Sequence, residues 1–379
     1  MSLSAPRLAR APLAAFGAMG VCWGTFAADL PDIKVMLDVD ETRLGQLLLL
    51  TPLAAILAML AAPTIGRLLG GIALPVMAGA MALAFALPGQ LPYWWFFPLA
   101  MLLSGATTGA VDVLMNARAT MVEAASGRAL MNLCHAAYSF GYAAGAVLTG
   151  VLRSQGHGPG VVMATLAALA FVIALFSVER DGRIEGLSRP AKGPARKLGL
   201  VPVVGGGVVL IAFLTENAAE NWSALHIEQT LHGSPAFGAA APAILALTMG
   251  LARLGGQGLA QRVKGLHLMV GGAGISAIGA LTVAAAPSPA VAYAGFIVMG
   301  LGSSVISPTA FTLVGQSAAP EARARAVARA TLLGYFGYFI GPPTLGLIAG
   351  SFGLRAAFVF AAVMLGLIWA MAPLLHRRS

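Results

Sequence analysis

The 379-residue chain has few charged residues and almost no cysteine. Asp, Glu, Lys and Arg make up only 10% of the residues, whereas 58% are hydrophobic and the mean hydropathy is +0.84. A soluble globular protein carries about 25% charged residues, so this composition excludes a soluble enzyme and a disordered scaffold. The two cysteines, Cys22 and Cys134, lie in apolar runs, which indicates neither a disulfide framework nor a cysteine-based zinc site. The composition therefore indicates an integral membrane protein.

Apolar runs recur along the whole chain, and each is long enough to cross a bilayer as a helix. A membrane-spanning helix needs about 20 mostly apolar residues, whereas the strands of a membrane barrel are about ten residues long and alternate in polarity. The first run is followed by Pro31 and charged residues rather than by a small-residue cleavage site, so we expect a retained helix. The runs predict twelve transmembrane helices, at approximately 11–31, 43–66, 72–88, 94–117, 130–152, 159–178, 199–221, 236–260, 266–286, 290–314, 327–350 and 354–375.

Lys and Arg are distributed unequally between the loops. With a cytoplasmic N-terminus and twelve alternating spans, 19 of the 23 basic residues fall on the cytoplasmic side, and the other four are Lys34, Arg43, Arg153 and Arg355. Such an excess fits the positive-inside rule and predicts a multi-pass membrane protein with both termini in the cytoplasm. The net charge of +9 then reflects topology and contact with anionic lipid, and we expect no nucleic-acid partner.

The two halves of the chain resemble one another. Five residues of span five recur in span eleven at an offset of 196, namely Phe140, Gly141, Tyr142, Gly145 and Gly150 as Phe336, Gly337, Tyr338, Gly341 and Gly346. A basic stretch with Gly and Pro lies between the halves. We predict an all-α polytopic protein with two pseudo-symmetric six-helix bundles, residues 1–178 and 199–379, joined by a cytoplasmic linker at 179–198. This arrangement resembles the architecture of major facilitator transporters.

Few ionisable residues lie inside the predicted spans of the first half. A charge at bilayer depth costs at least about 2.5–3.5 kcal/mol, so each such residue is a functional candidate. Asp112 has Asn116 one turn further along span four, and His135 lies at a similar depth in span five with Tyr138 beyond it. Asp112 and His135 are interpreted either as a proton relay or as a structural hydrogen bond between neighbouring helices.

The end of span seven carries a second polar group. Glu216 and Glu220 share one helix face, and Asn217 follows Glu216 directly. A carboxyl group inside the membrane suits proton coupling, while an amide and the indole of Trp222 suit an organic solute. The alternative is a polar helix end that leads into the outer loop. Asp29, close to the end of span one, is interpreted as an interface residue.

Three segments resemble one branch of the major facilitator superfamily: 111–116 (VDVLMN), 129–141 (ALMNLCHAAYSFG) and 216–224 (ENAAENWSA). That branch contains fucose-permease-like inner-membrane proteins, rhizobial riboflavin transporters and copper importers that supply cytochrome oxidase assembly. The loop after span two departs from the superfamily pattern, because Gly66 stands before Arg67 where an acid is expected. We predict a monomeric secondary transporter without a cofactor that moves a small solute, coupled to protons, by alternating access.

The sequence does not fit the two characterised substrates of that branch, riboflavin and copper, equally well. The copper importers carry a Met-x-x-x-Met pair in span seven and a His-x-x-x-Met pair in span eight, but here span seven has no methionine and Leu245 precedes Met249. A weaker soft-ligand cluster consists of Met131, Cys134 and His135. We therefore predict an organic, riboflavin-like solute, with a copper importer as the alternative. An intramembrane enzyme, a membrane assembly factor and an ATP-driven pump are disfavoured, because the chain has no HExxH, GxSxG or P-loop motif and no sizeable soluble domain.

Overall fold

The structure is a computed structural model that describes residues 5–128, 130–184, 199–255, 262–318 and 322–376. Within these residues every regular element is a helix. The predicted linker at 179–198 lies mostly outside the described residues, so its boundaries stay predictions. The cytoplasmic placement of the termini also stays a prediction. We call the end of the bundle at which the first long helix begins the inner end, and the opposite one the outer end.

Twelve long helices correspond one to one to the twelve predicted spans. A helix of seven residues, Glu41–Leu47, precedes the second of them, and a π-helical turn, His226–Thr230, extends the seventh. The helices are α1 Arg10–Leu37, α2 Leu50–Leu69, α3 Ala73–Phe85, α4 Phe96–Ser126, α5 Met131–Ser154, α6 Pro159–Leu175, α7 Val201–Leu225, α8 Pro235–Gly255, α9 Gly265–Ala285, α10 Pro289–Ser317, α11 Arg323–Phe352 and α12 Leu354–His376.

Hydropathy and length alone identify fewer spans than the fold contains. Nine stretches of the described chain are long and apolar enough to cross a membrane, and one of these, Glu41–Phe85, contains both α2 and α3. Helix α6 is apolar but has only 17 residues, and α5 is not among the nine because it carries polar residues such as Asn132 and His135. The polar residues of α5 indicate that part of its surface faces other helices or a cavity rather than lipid.

The predicted end of the first span is wrong by about six residues. Helix α1 continues through Pro31 to Leu37 and ends at Asp38, which has the left-handed conformation (φ 53°). A proline inside a helix removes one backbone hydrogen bond but does not always end the helix when neighbouring helices hold it. The extension places Asp29 inside the bundle, fully buried, rather than at the interface predicted for it.

Glycines at equivalent positions bring equivalent helices together in the two halves. A side chain at Gly141 of α5 would overlap the backbone of Gly17 on α1, and a side chain at Gly337 of α11 would overlap the backbone of Leu210 on α7. Small residues permit such close helix contacts in membrane proteins. The repeat in the sequence therefore corresponds to the α1–α5 contact in one half and the α7–α11 contact in the other.

Gly24 on α1 provides a test of this packing. We expect Gly24→Ala to destabilise the protein by about 1–3 kcal/mol, because the new Cβ would overlap the backbone of Tyr142, which cannot rotate away. The matched control is Gly366→Ala on α12, where no atom lies within 4 Å of the new Cβ and a change within about 0.5 kcal/mol is expected. Unfolding of the two purified variants in detergent measures the difference. Equal effects would contradict the packing.

The two halves meet through a few helix pairs. Helix α5 packs against α8, α1 against α7, and the short helix Glu41–Leu47 against α11. A side chain at Gly150 would contact Ala239, and one at Gly45 would overlap the backbone at Pro342. Gly45 and Gly150 lie at the outer end, so the halves are in close contact there and cover the space between them from that side.

Candidate functional site

A cavity of about 320 Å³ lies between the two halves. Its walls come from α1, α2, α4 and α5 of the first half and from α7, α8 and α11 of the second. Cavities of this size between the two repeats of a transporter are suited to a small solute. Because both halves contribute to the wall, a change in their relative orientation would change access to the cavity.

Aromatic rings form two opposing walls of the cavity. In the second half the rings of Phe213 and Tyr338 are stacked with centroids 4.6 Å apart, and Tyr335 lies 6.1 Å from Tyr338. In the first half Phe16 packs edge-on against His135 with centroids 5.0 Å apart. These flat apolar faces suit a planar solute. Further aromatic residues of the first half in the lining are Trp23, Phe26, Tyr138 and Tyr142.

Asp112 lies in the wall on α4 and is held by two side chains. The Nδ2 group of Asn116 donates to the Asp112 carbonyl (2.8 Å) and to Asp112 Oδ1 (3.1 Å). The hydroxyl of Tyr335 on α11 donates to Asp112 Oδ2 (3.4 Å), so this hydrogen bond connects the two halves. Asn116 itself is not part of the lining; it orients Asp112.

The predicted pair of Asp112 and His135 is not a hydrogen-bonded pair. Both side chains line the same cavity, but within the described residues Asp112 is bonded to Asn116 and Tyr335 instead. The structural hydrogen bond between α4 and α5 is therefore not formed, and a proton relay directly from Asp112 to His135 is not supported either. His135 contacts the ring of Phe16 and faces the cavity, as does Tyr138, which the sequence placed in the same polar patch.

The polar end of α7 faces the cavity. Glu216 is buried, and the hydroxyl of Tyr338 donates to its Oε2 (3.3 Å). Glu216 Oε1 and Asn217 Oδ1 have no hydrogen-bond partner within the described residues. Glu220 and Asn221 also line the cavity, as expected because each follows Glu216 or Asn217 by four residues on the same helix face. The alternative interpretation, a polar helix end dissolving into the loop, is wrong because α7 continues to Leu225.

Trp222 does not line the cavity. Its side chain is fully buried in the hydrophobic core, and its Nε1 group has no hydrogen-bond partner within the described residues. Six residues after Glu216, it is rotated by about two-thirds of a turn onto another face of α7. The predicted role of Trp222 as a stacking surface for the solute is therefore corrected, and Tyr338 and Phe213 provide that surface instead.

Arg253 on α8 also lines the cavity, although it was not among the predicted site residues. It is the one arginine or lysine among the described residues of the lining, which also contains the carboxyl groups of Asp112, Glu216 and Glu220. Its position follows from helix periodicity, because Leu245 and Met249, eight and four residues earlier, line the same wall. The cavity thus contains three acids and one fixed cation.

The predicted soft-ligand cluster is not assembled at the cavity. Cys134 is fully buried in the core, Met131 is packed against that core, and only His135 faces the cavity. The described residues contain no group of three or more His, Cys, Asp or Glu side chains suited to a metal ion. A different set of thioethers faces the cavity, consisting of Met19, Met59, Met101, Met115 and Met249.

Comparisons with known proteins identify the family. Residues 206–379 match the model of the Major Facilitator Superfamily. The chain is 31% identical over 367 residues to an uncharacterized MFS-type transporter of Yersinia pestis, covering 96% of this chain and 94% of that protein. It is 27% identical to membrane protein MosC of Rhizobium meliloti, covering 95% and 88%. The chain belongs to the major facilitator superfamily.

Solved structures agree on the fold. A bacterial homolog to the human lysosomal transporter Spinster, in an inward-facing and occupied conformation, has a TM-score of 0.77 at 15% identity and covers 100% of this chain and 98% of its own. The nucleoside transporter NupG has a TM-score of 0.75 at 13% identity and covers 98% and 100%. The predicted superfamily, its twelve-helix fold, and the class of multi-pass secondary transporter are thereby confirmed. The branch within the superfamily stays a prediction.

Proposed function

We propose that the protein imports a small organic solute across the bacterial inner membrane by proton-linked alternating access. The observation that carries this proposal is the cavity between the two halves, whose aromatic walls are combined with buried polar atoms that have no partner within the described residues. Buried polar groups are almost always hydrogen-bonded, so the unpartnered ones that face the cavity are available to hydrogen-bond a solute. The resemblance to a branch that contains inner-membrane proteins supports the bacterial inner membrane as the location, and the distribution of basic residues supports the orientation.

The unpartnered atoms specify the chemistry of the solute. Glu216 Oε1 and Asn217 Oδ1 accept hydrogen bonds, and the hydroxyl groups of Thr51, Thr108 and Tyr142 can donate or accept. A planar molecule with N–H and O–H groups would use both these atoms and the aromatic walls. A flavin with a hydroxylated side chain, such as riboflavin, has this combination, and the branch resemblance supports the same substrate.

Two carboxyl groups of the lining are placed to couple proton movement to the motion of the halves. The hydroxyl of Tyr335 donates a hydrogen bond to Asp112, and the hydroxyl of Tyr338 donates one to Glu216; both tyrosines lie on α11. The Asp112–Tyr335 bond crosses between the halves, so a rocking motion would break it and change the surroundings of the carboxyl group. A group that binds a proton differently in two conformations couples the proton to the conformational change.

A copper importer remains the second candidate because five methionines line the cavity together with His135. Thioether and imidazole groups are ligands that Cu(I) prefers. Against this, Leu245 occupies the wall where the copper importers carry a histidine, and Cys134 is turned into the core. The two candidates differ in which side chains must contact the substrate, and a binding experiment separates them.

Thermal stabilisation of the purified protein tests the substrate. We expect riboflavin to raise the unfolding temperature, whereas sugars, amino acids and Cu(I) leave it unchanged; a ligand at 100 times its Kd adds about 2.7 kcal/mol. Tyr338→Phe should reduce the riboflavin shift, because it removes the hydroxyl that orients Glu216. The matched control is Tyr293→Phe, whose hydroxyl donates to the Phe237 carbonyl outside the cavity. A shift specific to Cu(I) and lost in His135→Ala would replace the organic solute by copper.

A further inference from the structure

A single arginine joins the two halves at the outer end of the bundle. The side chain of Arg153, at the end of α5, is fully buried. Its Nε and Nη2 groups donate to Asp32 Oδ2 (2.9 Å) and Oδ1 (2.6 Å) on α1, in the same half. Its Nη1 and Nη2 groups donate to Glu228 Oε1 (2.7 Å) and Oε2 (2.9 Å) in the π-helical turn after α7, in the other half. Nη1 also donates to the Ala28 carbonyl (2.8 Å). We call Arg153, Asp29, Asp32 and Glu228 the outer gate.

Every N–H group of this guanidinium is occupied. Arginine has five N–H donors, and Asp32, Glu228 and the Ala28 carbonyl accept five hydrogen bonds from Arg153. Two bidentate carboxylate pairs on one guanidinium require both Asp32 and Glu228 to be ionised, because a protonated carboxyl group would present a donor to a donor. Arg153 therefore has no free N–H group, and its positive charge is already paired with two carboxylates.

Asp29 is a third carboxyl group at this cation, and it has no hydrogen bond of its own. It is fully buried one turn before Asp32, and its Oδ1 lies 3.7 Å from Arg153 Nε. Neither of its oxygen atoms has a hydrogen-bond partner within the described residues. If all three acids were ionised, the cluster would carry two uncompensated negative charges, and the carboxylate of Asp29 would lie fully away from water, which is strongly unfavourable.

The other elements around Asp29 provide no second cation in the described part of the chain. Helix α5 contributes Arg153, the turn after α7 contributes Glu228, and α1 itself contributes Asp32. Helix α8 contacts the cluster with Gly238, where a Cβ would overlap the Glu228 carboxylate, and its Ala239 and Ala243 pack with Ala28. His157, in the loop between α5 and α6, lines a small pocket beside Asp32 and Arg153.

We propose that Asp29 binds a proton while the outer gate is closed and releases it to water when the gate opens. Opening moves Glu228 away with the second half and leaves Arg153 with unpaired N–H groups. The ionised carboxylate of Asp29, already 3.7 Å from Arg153, then takes the place of Glu228. On closure Glu228 returns, and Asp29 regains a proton. The proton site is separate from the solute cavity, whose lining does not include Asp29.

A surface pocket lies next to the cluster, although Asp29 is not part of its lining. The pocket beside the cluster is lined by Asp32, Arg153 and His157, and the loop residues Gly156, His157 and Gly158 are exposed. Asp32 is itself one-third exposed, whereas Asp29 behind it is not. When the gate opens, protons from the outer side therefore need to pass only the side chains of Asp32 and Arg153 to reach Asp29.

Distance measurements across the gate test the proposal without any solute. Spin labels at Gln155→Cys and Ala290→Cys, exposed positions at the outer ends of the two halves, report opening once Cys22 and Cys134 are replaced by alanine. The labelled protein also carries Asp112→Asn, Glu216→Gln and Glu220→Gln, so that the carboxyl groups of the cavity do not contribute to the pH dependence. We expect the ratio of open to closed molecules to rise with pH, by up to about tenfold per pH unit for a single proton. In Asp29→Asn, which has the shape of the protonated acid, the closed distance should persist at every pH.

Two further measurements keep the result unambiguous. Asp38→Asn makes the same substitution at the exposed end of the same helix, and it should leave the pH dependence unchanged. With the cavity carboxyl groups neutralised in the same way, infrared spectroscopy of the closed protein should show a protonated carboxyl band that is lost in Asp29→Asn and kept in Asp38→Asn. A pH-dependent distance in Asp29→Asn, or a band that this substitution leaves in place, would overturn the proposal. Because no solute is present, neither outcome depends on the proposed substrate.

Discussion

Replacing Glu216 by glutamine should uncouple solute uptake from the proton gradient. In proteoliposomes with an inward proton gradient, we expect uptake by Glu216→Gln to fall about 5- to 150-fold, to the level without a gradient, which is the range of typical coupling free energies. Glutamine keeps the size of the side chain and can still interact with the Tyr338 hydroxyl 3.3 Å away, but it cannot bind a transferable proton. Glu216→Gln should therefore reduce the coupling of uptake to the proton gradient more than it reduces binding of the solute.

Exchange of labelled for unlabelled solute separates these two effects. Glu216→Gln should retain exchange, which needs no net proton movement, while its gradient-driven uptake is lost, and Asp112→Asn should behave in the same way. The matched control is Glu179→Gln, which removes a carboxylate paired with Arg118 (2.8 Å) in the first half and away from the cavity. If uptake were unchanged in Glu216→Gln and Asp112→Asn and insensitive to a protonophore, these residues would not be the coupling groups.

The number and order of the helices were predictable because the bilayer sets their length. Each predicted run contains one long or membrane-depth helix, although the run at 43–66 also includes most of the short helix Glu41–Leu47. The recurring glycines of spans five and eleven lie where α5 and α11 pack against α1 and α7. The helix ends were less predictable. Pro31 was expected to end α1 but lies within it, because contacts with other helices outweigh the loss of one backbone hydrogen bond.

The candidate site was predictable only as far as helix periodicity reaches. Asp112, His135, Tyr138, Glu216 and Asn217 all line the cavity, since a polar residue within an apolar span is turned away from lipid. Periodicity does not give the rotation of each helix about its axis, which tertiary packing decides. Two predicted residues therefore lie elsewhere, with Asn116 behind Asp112 and Trp222 in the core, while Arg253 was missed.

The outer gate could not be predicted from the sequence because its residues are far apart along the chain. Arg153 is separated from Asp32 by 121 residues and from Glu228 by 75, so no local pattern connects them. Arg153 was counted only as one of four basic residues on the outer side, and Glu228 attracted no interpretation. The positive-inside rule leaves few basic residues on the outer side. Each of those four, including Arg153, could therefore have been considered as a candidate for a specific role.

Arg153 should also be among the most sensitive positions for stability. We expect Arg153→Gln to lower the free energy of unfolding by about 3–5 kcal/mol, because it leaves buried carboxylates without their cation. Additional neutralisation in Arg153→Gln/Asp32→Asn/Glu228→Gln should recover much of this loss, since the unpaired charges are then removed as well. The recovery distinguishes an electrostatic cost from a packing defect, which three substitutions would increase.

Unfolding of detergent-purified protein provides the measurement, and Arg355→Gln provides the matched control. Arg355 donates to the backbone carbonyls of Ala284 (2.6 Å) and Ala286 (2.8 Å), so its replacement removes hydrogen bonds to neutral groups and leaves no carboxylate without a cation. The difference between the two arginines therefore isolates the buried charges. If the triple variant were no more stable than Arg153→Gln, Asp32 and Glu228 would not be the ionised partners on which the outer gate depends.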